Sequence, residues 1–311
     1  MKQLMVTLLV IVMVVIGFGN YLYINPIGPT LVPIARLIHD SPDGKTIAEG
    51  FSIEFWKTVD QALALVISGK ADFALLPVTI GAKLAAEGVP IKLAAVSMWG
   101  GFYFVSRNEP IEGVEDLLGK AVYTLHAPGQ TADVILRGVL EKLGYEVNKD
   151  IRIVYVAGPE ALQLFAAGKA DILLLPEPFA SLAQAKVKGS IKSMSIDELW
   201  RILSPGNGPI PSSGIFVRKD VDPTVVDLFL LLYKQSLTLS LQDLELTASI
   251  VSEAMGGFPV PILKKSFSGI DYEFKAASEI KDEVVSYLET LRELDESLVG
   301  DLNFDEFFYE K

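Results

Sequence analysis

The chain has 311 residues and no cysteine, and its 27 Lys and Arg stand against 39 Asp and Glu for a formal charge of −12, with only 2 His. These counts exclude a disulfide framework, a thiolate metal site, a cysteine nucleophile and a lipid-acceptor Cys. They also argue against a multi-histidine metal centre and a nucleic-acid surface. With half the residues hydrophobic and 21% charged, the chain can bury a large core, and its length suggests about two domains.

Lys2 is followed by an apolar run from Leu4 to Phe18. As a helix it would be about 22 Å long at ~1.5 Å per residue, short of the ~30 Å hydrocarbon core. With the small-x-small triplet Gly17-Phe18-Gly19, residues 1–19 read as a secretory signal cleaved after Gly19. An uncleaved anchor is the rival reading. Either way the remainder is exported, to a periplasmic or extracytoplasmic location.

An internal repeat organises the chain beyond this segment. Residues 62–77 read ALALVISGKADFALLP and residues 161–176 read ALQLFAAGKADILLLP, a shift of 99 with identity at ten of sixteen positions. The same shift lays Tyr23-Ile24 on Val122-Tyr123, Pro29 on Pro128, and Phe51–Trp56 on Asp150–Tyr155. Each copy predicts a β-loop-α-β-loop-α-β unit. The first copy places helices at Leu31–His39 and Gln61–Ser68 and a buried strand at Ala71–Leu76. Strands Ile91–Met98 and Gly101–Ser106 and a short helical stretch Val114–Leu118 come next. The second copy places helices at Ala132–Leu143 and Glu160–Ala167 and a strand at Ala170–Leu175. Gly69 and Gly168 close helices in the left-handed conformation, so the repeated GKAD is structural, at the amino end of a strand. Ser204–Ser213, rich in Pro, Gly and Ser, marks a boundary. Then come strand Gly214–Arg218, a helix capped by Asp222 with Pro223 at its first position and running to about Leu239, and a helix over Lys275–Leu294. The tail Asp301–Lys311 is acidic and aromatic.

Five motifs occur in one order: Gly28-Pro29-Thr30, AEGVPIK (Ala86–Lys92), GVEDLLGKAVYT (Gly113–Thr124), GKADILLLPEPFAS (Gly168–Ser181) and PSSGIFVRKD (Pro211–Asp220). Together they resemble the substrate-binding proteins of ABC importers of the nitrate/sulfonate/taurine group, related to the thiamine-pyrimidine binders. The resemblance implies an α/β, type II periplasmic binding protein architecture: two Rossmann-like lobes around a central cleft, joined by two crossing strands. It assigns residues 20–105 and 214–311 to the first lobe and 106–213 to the second, with hinges near Ser106–Pro110 and Ser204–Ser213. Its small-anion members imply Arg or Lys in the cleft loops, which most of these loops lack. Its pyrimidine binders begin with an aromatic first loop, where this chain has Asn25–Thr30. The solute therefore stays open.

Ligands in open α/β sheets bind beyond the carboxyl ends of the strands. The repeat places those ends at Asn25–Thr30, Trp56–Asp60, Pro77–Thr79 and Trp99–Gly101 in one lobe. In the other they are His126–Thr131, Gly158–Glu160 and Glu177–Phe179, with Pro211–Ser213 near the hinge. The expected ligand contacts are Gly28, Thr30, Trp56, Thr79, Trp99, Gly100, His126, Gln130, Thr131, Glu177, Phe179 and Ser212. Helix N-termini offer backbone N–H groups, glycines allow close backbone approach, and aromatic rings offer flat walls. Each has a structural alternative: the threonines as helix caps, Trp56 and Trp99 as core, His126 bonded to backbone, Glu177 capping the next helix.

Gly44-Lys45-Thr46 lacks the first glycine of a phosphate loop, and Gly206-Asn207-Gly208 lacks the third glycine of a dinucleotide loop. No catalytic residue, metal or cofactor is expected. The resemblance implies a monomer that takes a small solute to a membrane permease and ATPase complex. An enzyme on the same fold, of pyrimidine-phosphate synthase or menaquinone-pathway type, and a membrane-tethered sensor are the alternatives.

Overall fold

A computed structural model describes residues 19–41, 45–125 and 130–310. The apolar run Leu4–Phe18, Gly44, His126, Pro128 and Gly129 lie outside the described residues. Strand β1 (Tyr21–Pro26) leads through a 3-10 turn (Pro29–Ile34) into α1 (Ala35–His39). The predicted helix Leu31–His39 is therefore split, because Pro29 and Pro33 remove the N–H groups that an α-helix would use there. Next come β2 (Thr46–Ala48), β3 (Phe51–Trp56), α2 (Val59–Ile67), β4 (Phe73–Pro77), α3 (Val78–Ala86), β5 (Ile91–Trp99) and β6 (Phe102–Ser106). The second copy supplies β7 (Ala121–Thr124), α4 (Thr131–Lys142), β8 (Arg152–Tyr155), α5 (Gly158–Ala166), β9 (Ile172–Pro176), α6 (Phe179–Lys186), β10 (Ile191–Ser195) and α7 (Ile196–Leu203). The chain ends with β11 (Pro211–Arg218), α8 (Pro223–Gln242), α9 (Leu244–Ala254), α10 (Val260–Phe267), β12 (Lys275–Ala276), α11 (Lys281–Leu294) and α12 (Phe304–Phe307). The predicted helix Lys275–Leu294 begins only at Lys281, since Lys275-Ala276 pair with β5 before a 3-10 turn.

The strands form two sheets, in the orders β12-β5-β11-β4-β1-β3-β2 and β10-β6-β9-β7-β8. Within each copy the strands run parallel, β1 with β3 and β4, and β7 with β8 and β9. Each sheet also takes in one antiparallel strand from across the molecule. β11, made after the second copy, slots between β4 and β5, while β6, made after the first copy, slots between β9 and β10. β6 therefore belongs with the second sheet, and the chain passes from one sheet to the other at Gly100-Gly101. Glycine is required at this crossing: Gly100 and Gly101 have φ of +60° and +93°. A Cβ on Gly100 would also stand 2.2 Å from Asp197 Oδ2.

One face of the first sheet packs Tyr23, Phe51, Phe73, Ile215 and Val217 against Phe229, Tyr233 and Leu237 of α8. That helix is long and apolar enough to cross a membrane by length and composition, but its inner stripe is core and Leu231 is among its exposed residues. The opposite face shares a continuous apolar cluster with the second lobe, reaching Val122, Ile135, Leu174 and Trp200. Helix α11, expected in the first lobe, lies against the second: Tyr287 meets Trp200 edge-on at 5.2 Å, and Asn207 Nδ2 donates to Ser286 Oγ at 2.6 Å.

Candidate functional site

Where the carboxyl ends of the two sheets meet, a cavity of about 430 Å³ opens between them. The first sheet's side is built by Pro29 and Thr30 after β1, Val59 after β3, Pro77, Thr79 and Ile80 after β4, and Met98 at the end of β5. The second sheet's side is built by Leu125, Gln130 and Thr131 after β7, and Pro176 and Glu177 after β9. Gly100, Gly101 and Phe102 at one crossing, Ser212 and Ser213 at the other, and Ile270 complete it. Local sequence explains why helices begin here. Thr58 and Gln61 form a reciprocal capping box that starts α2 at Val59. Prolines at the ends of β4 and β9 stop the ladders, so the chain turns into α3 and α6.

Of the expected contacts, Thr30, Thr79, Gly100, Gln130, Thr131, Glu177 and Ser212 come together on this wall. His126 lies outside the described residues. Gly28, Trp56, Trp99 and Phe179 are not on the wall. Trp99 is 1% exposed, with its indole N–H donating to Glu273 O at 2.9 Å and Lys275 Nζ 4.8 Å from the ring. The ring is buried because residues 271–276, far along the chain, run beside it: Trp99 N–H donates to Asp271 O at 2.9 Å. Trp56 is core at 8% exposure, with its indole N–H unpartnered. Phe179 meets Phe258 edge-on at 6.4 Å, which puts it at the junction of α6 with the C-terminal helices. Gly28 is buried just before the 3-10 turn.

Glu177 is an expected ligand contact, with capping of the next helix as its structural alternative. It reaches the wall, yet its carboxylate points into the protein. Lys192 Nζ pairs with Oε1, Ser181 Oγ–H donates to Oε1 at 2.9 Å, and Ser181 N–H donates to Oε2 at 3.0 Å. The Glu177 side chain has no exposure and that of Lys192 only 16%. Lys192 also lies 4.4 Å from the Tyr103 ring centre, and the Tyr103 hydroxyl donates to Gly269 O at 2.9 Å. Burial first, and then the Glu177 charge, push the Tyr103 phenol above its ordinary range.

A second polar group ties the crossings. Gly100 N–H donates to Ile210 O at 2.9 Å, Ile210 N–H donates to Asp197 Oδ1 at 2.9 Å, and Ser212 Oγ–H donates to Gly100 O at 2.7 Å. Burial raises the Asp197 carboxyl above its usual range, and the Ile210 N–H partly offsets this. Sequence reasoning missed Asp197 and Lys192, since neither stands in a motif. It missed Ile270 because the repeat does not extend that far.

Two sheets that exchange a strand and enclose a cavity between their carboxyl ends define a two-lobed periplasmic binding protein architecture. Residues 48–206 match the NMT1/THI5-like family model, and the chain belongs to that family. No curated protein matches it. Among solved structures, an ABC transporter protein from Parabacteroides distasonis is 22% identical, with a TM-score of 0.77 over 95% of this chain and 100% of that one. The periplasmic aliphatic sulphonate binding protein SsuA of Escherichia coli is 15% identical, with a TM-score of 0.73 over 95% and 93% of the two chains. The alkanesulfonate-binding protein SsuA of Xanthomonas axonopodis pv. citri, bound to MOPS, is 15% identical, with a TM-score of 0.69 over 95% and 100%. At these identities the likeness is one of fold.

Proposed function

We propose that the protein is an extracytoplasmic solute-binding protein, which captures a small organic solute between its lobes and presents it to an ABC importer. The observation that carries this reading is the position of the cavity: both sheets wall it, directly above the two crossings. Rotation about Gly100-Gly101 and the segment before Pro211 would part or close those walls. The first lobe then comprises residues 20–100 and most of 211–311, and the second 101–210 with α11 packed on it. Glu177, the ionisable side chain on the described wall, is consumed by Lys192 and Ser181, which favours capture over turnover.

Two measurements test the reading on residues 20–311. Mass spectrometry identifies small molecules released on denaturation, and thermal shift is then measured against sulfonates, nitrate, pyrimidines and amino-acid analogues. A solute at 100 times its Kd adds about 2.7 kcal/mol, which is several degrees in midpoint. No released molecule and no shift from any solute would sink it, and product formation with turnover would convert the protein to an enzyme. The mass of the mature N-terminus tests cleavage after Gly19.

A further inference from the structure

The solute class can be read from where the cavity's protons are already spent, an inference that rests on the solute-binding reading. A buried polar chain ends at the wall. Asn25 Nδ2 donates to Pro26 O at 2.8 Å and to Thr30 Oγ1 at 3.3 Å, while Asn25 Oδ1 accepts from the Tyr23 hydroxyl at 2.6 Å. The Pro26 carbonyl can only accept, so the amide orientation is settled by its partners. Tyr23 has then used its one proton. The Ser97 and Tyr233 hydroxyls share a hydrogen bond of 2.9 Å. Asn25, Tyr23, Tyr233 and Ser97 have no solvent exposure.

The consequence lies at Thr30. Its hydroxyl proton goes to Pro26 O at 2.9 Å and it already accepts from Asn25, so what remains is one lone pair. The Ser212 proton is likewise committed, to Gly100 O at 2.7 Å with Ile210 O at 3.4 Å. Both hydroxyls line the cavity as acceptors, and the described wall carries no Arg, Lys or His. It offers no free carboxylate either, with Glu177 turned inward onto Lys192 and Ser181. At Thr30 and Ser212 an anion would face oxygen lone pairs with no side-chain cation among the described residues of the wall, and a cation would find no free carboxylate among them. The remaining wall is largely apolar, with Ile80, Met98, Phe102 and Ile270 among its members.

We propose that the cavity selects an uncharged solute with an apolar body and N–H or O–H groups that donate to Thr30 and Ser212, and that it discriminates against sulfonates, carboxylates and other oxyanions. A carboxamide head fits: its N–H groups meet the hydroxyl lone pairs, and its carbonyl accepts from backbone N–H groups at the starts of α3 and α4.

The test uses matched probes on three skeletons: hexanamide, cyclohexanecarboxamide and benzamide against the corresponding sulfonates and carboxylates. Thermal shift is measured on the full mature chain, with mass spectrometry of released solutes in both ion polarities. The expected result is a midpoint rise with amides and none with the matched anions. Thr30→Val should then weaken the best amide about tenfold, as expected for one lost hydrogen bond, while Thr30→Ser retains it. Should Thr30→Val fail to fold, Ser212→Ala carries the same expectation. Anions raising the midpoint at least as much as amides would overturn the class and leave the binding reading standing. If no probe binds but a solute is released, a neutral solute supports the class and an anionic one overturns it. No probe binding and no solute released would remove the binding reading itself, and this inference with it.

Discussion

In the first lobe Gly214 of β11 sits between Val78 and Leu93: a Cβ there would lie 2.5 Å from Leu93 Cδ1 and 3.2 Å from Val78 Cγ2. The shift that superposes the two repeats carries those residues onto Glu177 and Lys192. It also carries Leu76, the register partner of Gly214, onto Leu175, the partner of Tyr103. One slot is thus filled by Val, Gly and Leu in one lobe and by Glu, Tyr and Lys in the other. A second slot differs in volume alone. Ala74 pairs with Phe216, whose ring faces Gly81, while Leu173 pairs with Val105 and packs in one cluster with Ala180. Duplication preserved the ladder and left the packing between strand and helix free to diverge. The charged version occurs where the second lobe meets the C-terminal segment: a Cβ on Gly269 would be 2.7 Å from Glu177 Oε1 and 3.1 Å from Lys192 Nζ.

Transplanting one slot into the other is the strongest way to break this equivalence. Lys192→Leu leaves a buried carboxylate unpaired and should cost about 3–5 kcal/mol in urea unfolding. Glu177→Val combined with Lys192→Leu, which installs the first lobe's own pair, should recover most of that loss. If the double variant is as unstable as the single, the slots are not interchangeable.

The volume slot gives a smaller effect. Gly81→Ala would bring a methyl to 2.0 Å from the Phe216 ring and should cost about 1–3 kcal/mol by overpacking. Adding Phe216→Val, the second lobe's solution, should reduce the penalty in the same denaturation experiment.

Asp197 belongs to neither slot and is read through pH. Its folded-state carboxyl is raised above the ordinary 3.8, so the folded state binds the proton more tightly than the unfolded one. Its contribution is neutral below the unfolded value, turns unfavourable as pH rises from there through the folded value, and is constant above. Relative to Asp197→Asn, which keeps an acceptor for Ile210 N–H, the wild type should therefore lose stability over that window. A wild-type curve that gains on the variant as pH rises would contradict the burial argument. The smallest effect is expected at Lys264, whose pair with Glu245 is exposed: Lys264→Ala should change stability by less than about 1 kcal/mol.

Much of the fold was legible because local signals repeat. The shift of 99 placed β1, β3, β4, β7, β8 and β9, and the glycine and proline punctuation placed most helix ends. What stayed hidden depends on contacts between distant residues. Nothing near Phe102 says that β6 joins the second sheet, since its partners are residues 172–176 and 191–195. Trp99 reads as a strand-end aromatic suited to a ligand, and only the later chain at Asp271 and Glu273 makes it core. Thr30 and Ser212 could be placed by motif and position, but the commitment of their protons needs Asn25, Pro26 and Gly100 in three dimensions.

The placement of β11 between β4 and β5 bears on how the polypeptide is synthesised. When Trp99 leaves the ribosome, β5 has no neighbour, because both strands that flank it, β11 and β12, have yet to be translated. The stretch from Phe102 to Ser195, by contrast, carries every strand of its own sheet and can assemble at once. The first copy and β5 must therefore wait with three strand edges unpaired, one on β4 and two on β5, and in that interval the chain is open to misassociation and would profit from a chaperone.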